Sequence, residues 1–273
     1  MKRWLRWVVS LASAALFLLP VLWLLVASFR PSHAIFNGLG ANLSESGWTL
    51  RNYLSAFERA GLVYAIPTSL ALLVIIVAGG LVVNSMAAYA FARLHFRGRE
   101  LLFSLLVALI ILPIEVLVVP LFLTARDLGL TARSSPALLA LSLPFVAKAF
   151  NVYFLRQHFL AWPRELEEAA VIDGAGVWQQ FWRVALPGVR PALATVALLD
   201  VLMHWGDFLW PLLITDRAAT RTVQIGLANL FTEPPLDWGA ILACSVLATL
   251  PVLLGFRWFQ RHVVAADASV GLK

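Results

Sequence analysis

The sequence predicts an all-α, polytopic membrane protein: six transmembrane helices with one polar island between the fourth and the fifth. Three observations predict it. Of the 273 residues, 61% are hydrophobic and only 13% are charged, against about 25% charged in an ordinary soluble domain. Six stretches are long and apolar enough, or nearly so, to cross a bilayer core, which takes about 20 residues of helix. The charges that remain are segregated into the connections, most densely around Glu165, Glu167 and Glu168. The whole chain, 1–273, reads as a single transmembrane domain.

The expected spans are 7–29, 67–92, 101–123, 135–155, 188–212 and 239–259. Lys2, Arg3 and Arg6 precede the first as they would a secretory signal. The apolar run behind them continues to Phe29, well past the roughly 7–15 residues of a signal core, so an uncleaved first helix is expected. In the second span, Ala78-Gly79-Gly80 with Ser85, Ala87 and Ala88 offers a smooth surface for close helix packing. Pro113, Pro120 and Pro144 fall within the third and fourth spans, where a membrane helix tolerates proline if neighbours satisfy the freed carbonyls. Between the spans, 30–66 carries Trp48, Tyr53, Phe57 and Tyr64 at a spacing suited to the headgroup layer or to a docking partner. The 213–238 segment reads as a second loop of that kind. Cys244 is alone, which excludes an internal disulfide and any paired-cysteine metal or redox motif.

Orientation follows from the basic residues. With the amino terminus in the cytoplasm, thirteen of the 21 lysines and arginines fall in inner segments and seven in outer ones; Lys148 lies within a span. That bias places both termini inside, and with them the 156–187 loop. The formal charge of +6 therefore reflects membrane topology and not nucleic acid. The five histidines are scattered over different segments without metal-ligand spacing. A phosphate-binding loop of the Gly-Lys-Ser/Thr kind is excluded, because Lys2, Lys148 and Lys273 are the only lysines and none follows a glycine. Neither a catalytic constellation nor a cofactor site is expected, and any pumping has to draw its energy from outside this chain.

The spans contain three carboxylates and one ammonium: Glu115, Asp200, Asp207 and Lys148. Each costs about 2.5–3.5 kcal/mol at a helix centre, so they should face the bundle interior or a wet cavity. Asp200, His204, Asp207 and Pro211 follow helical spacing along one face of span five. By depth, Lys148 matches Asp200 better than Glu115, so a Lys148–Asp200 pair is expected. It would serve to hold helices in register or to line a solute pathway.

The island begins where Trp162-Pro163 breaks the backbone. Glu165, Glu167 and Glu168 then occupy the positive end of a new helix, which should stop near Gly174. A second arm should start about Val177 and run to Pro187, with Trp178, Phe181 and Trp182 on its apolar face. Such a pair of short helices could lie flat on the membrane. Its acidic first arm and its tethering at both ends argue against a DNA-reading element.

Glu168-Ala169-Ala170, then Gly174, Val184 and Leu186-Pro187, resembles at its family spacing the "EAA" loop of ABC-importer permeases, with Val184 where isoleucine is usual. Ala87 to Arg93 and Trp205-Gly206-Asp207-Phe208-Leu209-Trp210-Pro211 are similar to the carbohydrate, maltose-transporter-like branch. The resemblance implies a type I ABC importer permease fold in the inner membrane, with a cytoplasmic coupling helix at 156–187. It implies three kinds of partner: two copies of an ATPase subunit that bind the ATP, a homologous second permease, and an extracytoplasmic solute-binding protein that delivers a sugar or related polar solute. Glu168, Ala169, Ala170, Asp173, Gly174, Leu186 and Pro187 would then form the ATPase seat. Glu115, Lys148, Asp200, His204 and Asp207 are candidates for the translocation pathway. The competing reading is an ion-coupled secondary transporter or channel that uses the buried charges as a relay.

Overall fold

The computed structural model describes residues 2–36, 47–131, 137–215 and 220–270, and among these all regular structure is helical. Arg133, Arg217 and Lys273, counted above for orientation, lie outside the described residues. Three continuous helices are long and apolar enough to cross a bilayer: α1 (Lys2–Ser28), α3 (Leu62–Arg93) and the Trp238–Arg257 part of the last helix. Three bent pairs supply the other spans: α4 with α5 (Arg99–Leu109, Ile114–Asp127), α6 with α7 (Ala137–Val146, Ala149–Ala161), and α9 with α10 (Val177–Gly188, Arg190–Trp205). Short helices fill the connections: α2 (Arg51–Arg59), α8 (Arg164–Ile172), α11 (Leu209–Ile214) and α12 (Val223–Thr232), before α13 (Trp238–Val270) closes the chain.

The six expected spans correspond to these elements, but the third is not one continuous helix. It breaks at 110–113 and turns by 103°, because Pro113 takes extended backbone angles ahead of α5 and a proline keeps the residue before it out of the α region. Pro120 stays inside α5. The fourth span bends by 44° at Ala147-Lys148, and α7 continues to Ala161, beyond the expected end. The fifth stops at Trp205 and resumes at Leu209, so Asp207 and Pro211 do not continue the helical face of Asp200 and His204. The 213–238 segment is not simply a loop, since α12 lies within it.

The chain forms two compact units, Met1–Pro67 with Arg221–Pro251, and Thr68–Thr220 with Val252–Lys273. In the first, Asn52 donates to the carbonyls of Ser28 and Arg30 at the end of α1 (both 2.7 Å), and Tyr53 meets Ser28 Oγ at 2.8 Å. Asp237 gathers Ser32 Oγ (2.7 Å), Ser55 Oγ (2.9 Å) and the Ala240 N–H (3.2 Å), so it also caps α13. In the second unit, a buried cluster of Tyr89, Leu155, Phe159, Phe181 and Val196 with interleaved alanines packs α3 on α7, α9 and α10. A second cluster, around Ile76, Leu141, Trp210 and Ile214, packs α3 on α6 and α11.

Candidate functional site

The second unit contains both candidate regions. The island starts where α7 ends at Trp162, whose backbone is extended ahead of Pro163. Helix α8 is closed at its far end by two reverse bonds: Ala175 N–H to Ala170 O (2.8 Å) and Gly174 N–H to Val171 O (2.9 Å). This closure needs a left-handed residue after the helix, and Gly174 supplies it at φ +81°. The next arm starts at Val177 as expected, with Gly176 N–H donating to Gln179 Oε1 (3.2 Å) and Gln180 Nε2 to Ala175 O (2.9 Å). The turn between the arms is therefore held on both sides.

Helix α9 does not stop at Pro187. It runs to Gly188 through a wide, π-helical centre at Gln180–Ala185, then bends by 76° into α10. Of its three expected aromatics only Phe181 is buried, against Tyr89 and Phe159 (ring centroids 5.2 and 6.5 Å apart); Trp178 and Trp182 stay exposed. Glu168, Ala169, Asp173 and Gly174 are exposed, Ala170 is half-buried, and Leu186 and Pro187 are half-buried at the root. Leu166, Val171, Ile172, Val177 and Trp178 are exposed too, Ile172 at 86%. The tip thus presents an apolar patch beside acidic Glu165, Glu168 and Asp173.

The three glutamates of α8 are not equivalent. Glu167 is 8% exposed. Its Oε1 accepts Arg93 Nε at 2.9 Å, and its Oε2 accepts the Tyr89 hydroxyl at 3.3 Å. The same guanidinium donates to Trp162 O at 2.6 Å.

The second region is a cavity of about 770 Å³, lined mainly by apolar residues such as Leu117, Val118, Phe145, Met203 and Trp210. Glu115, Lys148, Asp200, His204 and Asp207 all line it. Lys148 Nζ lies 2.5 Å from Asp200 Oδ1 and 2.6 Å from His204 Nε2, and Asn151 Nδ2 donates to Asp200 Oδ2 at 3.0 Å. Lys148 therefore pairs with Asp200 and not with Glu115. Three helix breaks border this space, each with a charge beside it. Glu115 stands in the first turn of α5 after the 110–113 break, Lys148 sits in the α6–α7 break, and Asp207 faces the backbone N–H groups that open α11. Irregular backbone at membrane depth is tolerated where it lines such a cavity.

The α6–α7 break is satisfied by neighbours. Asn84 of α3, fully buried, donates to Val146 O (3.0 Å) and accepts the Lys148 N–H (2.9 Å), so one amide side chain serves both sides. Pro144 lacks the N–H that Ala140 O would otherwise accept, and Trp210 Nε1 takes its place at 3.1 Å. Gly79 and Gly80 allow the close approach: a Cβ on Gly80 would stand 3.3 Å from Val146 O and 3.6 Å from Asp200 Oδ2.

With this geometry in place, comparison with known proteins is decisive. Residues 80–266 match the family model described as "Binding-protein-dependent transport system inner membrane component". The arabinooligosaccharides transport system permease protein AraQ of Halalkalibacterium halodurans is 36% identical over 93% of this chain and 90% of its own length. The chain belongs to this family. It is an inner-membrane, multi-pass permease of an ABC importer, a transporter and not an enzyme, and such a permease works with an ATPase, a binding protein and a second permease. The trehalose transport system permease protein SugB of Mycobacterium tuberculosis is 34% identical over 94% of this chain and 92% of its own. In fold, the permease superposes on a chain of a bacterial ABC transporter involved in the import of the acidic polysaccharide alginate, with a TM-score of 0.75 at 23% identity over 94% of both chains. None of these matches supports an ion-coupled carrier. The structure also brings to these two regions residues that the sequence did not single out for a site, namely Tyr89 and Arg93 beneath the island and Asn84 and Asn151 beside the cavity. Asn84 had a signal, being an amide inside an apolar span. The role of Glu167 depends on a partner 74 positions away.

Proposed function

We propose that this permease passes a sugar or related polar solute, delivered by an extracytoplasmic binding protein, along a pathway lined by Glu115, Lys148, Asp200, His204 and Asp207. The observation that carries the reading is their convergence: four polar side chains from three bent spans, with Asp207 from the break between α10 and α11, line one cavity of about 770 Å³. The AraQ and SugB relatives are named for arabinooligosaccharides and trehalose, which supports a carbohydrate cargo.

The 156–187 loop is the cytoplasmic coupling element, and both termini lie on the same side, in keeping with the bias of basic residues. Its exposed tip, Glu168-Ala169-Ala170 to Asp173-Gly174, seats in one ATPase subunit, while Leu186 and Pro187 root the second arm. The second homologous permease seats the other ATPase copy. ATP-driven closure of the two ATPases moves the islands and reorients the cavity. Co-purification and uptake by the assembled importer test this. Glu168→Lys reverses charge at the tip, and Gly174→Trp adds bulk there and also strains the left-handed turn that closes α8. Both should release the ATPase and abolish uptake; normal association and uptake in both variants would sink the assignment.

A further inference from the structure

We infer that the buried Arg93–Glu167 pair, with Tyr89, is the strut that carries displacement of the island into span two and on to the solute cavity. The inference rests on the reading of the island as the ATPase seat. Covalently, α8 hangs from α7 only through Trp162-Pro163, where the helix is broken. A broken backbone transmits a push poorly, so something else has to stiffen the joint.

One guanidinium does so. Arg93 holds Glu167 at 2.9 Å and Trp162 O at 2.6 Å, tying the first turn of α8 to the end of α7. Both side chains of the pair are about nine-tenths buried, at 6% and 10% exposure, so water does not compete for the contact. Tyr89, one helical turn before Arg93, donates to the same carboxylate and packs its ring on Phe159 and Phe181. The last turns of α3 thus grip α7, α8 and the π-helical centre of α9 together. Glu165 and Glu168, the flanking carboxylates, face outward and are free for a partner.

The same helix reaches the cavity. Asn84 bridges the break at Val146 and Lys148, and Gly80 packs on Val146 O and Asp200. At about 1.5 Å per residue, Asn84 and Arg93 are about 13 Å apart along one unbroken helix. A displacement of Glu167 therefore arrives at the Lys148–Asp200 wall through a rigid rod gripped at both ends. Arg93, Tyr89 and Glu167 are positioning residues; none of them lines the cavity.

The test uses the reconstituted complex of this permease, its partner permease, the ATPase and the binding protein. Uptake per ATP hydrolysed is measured first. The second readout is the rate at which a maleimide labels Met203→Cys in the cavity, with and without nucleotide, in a Cys244→Ala background. Glu167→Gln and Arg93→Gln should keep the ATPase bound and hydrolysing while uptake per ATP falls at least tenfold and labelling stops responding to nucleotide. The reversed pair, Arg93→Glu with Glu167→Arg, should recover part of both. Tyr89→Phe, which keeps the ring, should lose about two- to threefold and carries the test if the charge variants fail to assemble. Uptake per ATP within twofold of the parent, with nucleotide-responsive labelling, would overturn the strut. So would a parallel fall of assembly, hydrolysis and uptake in Tyr89→Phe, which marks a contact that only holds the fold. A parent protein that never retains the ATPase would instead overturn the coupling reading itself.

Discussion

Asp200→Asn is the sharpest single perturbation of the cavity. Asp200 is 1% exposed and accepts both Lys148 Nζ (2.5 Å) and Asn151 Nδ2 (3.0 Å). Removing its charge leaves Lys148 beside His204 without a counter-ion. Breaking one side of a buried pair costs about 3–5 kcal/mol. The Lys148 side chain keeps 18% exposure toward the cavity, so the lower end applies, about 3 kcal/mol. At about 2–4 °C per kcal/mol for a chain approaching this size, the melting temperature in detergent should fall by about 6–12 °C. Lys148→Met strands Asp200 and should cost a similar amount. The double variant has no stranded charge and should melt within a few degrees of the parent, giving a coupling energy of about 5 kcal/mol, above the range of about 0.5–3 kcal/mol common for contacting residues because both single variants strand a buried charge. Losses that add to within about 0.5 kcal/mol would refute the pair as a stabilising contact. Uptake by the stable double variant then separates a pin between helices from a contact made by the solute.

Gly80 should show a steep size dependence. Gly80→Ala meets Val146 O at 3.3 Å and should cost about 1 kcal/mol or less, while Gly80→Leu overpacks the break by about 1–3 kcal/mol; melting temperatures check both. Asp237 should give an acid-sensitive component of stability. Burial alone would raise its pKa, but the hydrogen bonds from Ser32, the Ala240 N–H and Ser55, together with the charge of Arg59, outweigh it and hold the carboxyl below its usual value. The unfolded chain then binds the proton more readily, so the stabilisation is complete above roughly pH 4, the ordinary aspartate value, and is lost as pH falls through the folded value. Thermal melts between pH 6 and 3 should show this component in the parent and not in Asp237→Asn.

Much of the architecture was legible because it depends on short-range properties. Span number follows from apolar run length, and the island from Trp162-Pro163, its acidic first turn and Gly174, each of which acts on its own backbone. The Lys148–Asp200 pair followed from depth along two helices. What escaped depends on which neighbour supplies a lost hydrogen bond. Pro113 precedes a 103° turn while Pro120 sits inside a helix, and nothing within a few residues of either distinguishes them. The sixteen-residue α10 ends at Trp205, so a helical-face argument that ran on to Asp207 and Pro211 placed them on the wrong element. They still reach the cavity region, because α11 starts beside the same break. Among Glu165, Glu167 and Glu168, the buried one was fixed by the phase of α8 against Arg93, a tertiary fact that α8 alone does not contain.

The stretch Ala87 to Arg93 acquires a physical meaning through these contacts. Along α3, Gly80, Asn84, Ala88 and Ala92 recur every four residues, and Ser85, Tyr89 and Arg93 form the adjacent row. Asn84, Ser85, Ala88, Tyr89 and Ala92 are all buried, at 0–4% exposure. Small residues in the middle of the stripe let α7 and α10 approach closely, and each end carries a polar anchor. Asn84 holds the break that lines the cavity; Arg93 holds the helix that opens the island. Alanines between the anchors have no side-chain rotamers in which a displacement could be absorbed, whereas long flexible side chains would dissipate it. Enlarging Ala88 should therefore weaken the link between island and cavity while leaving both anchors chemically intact.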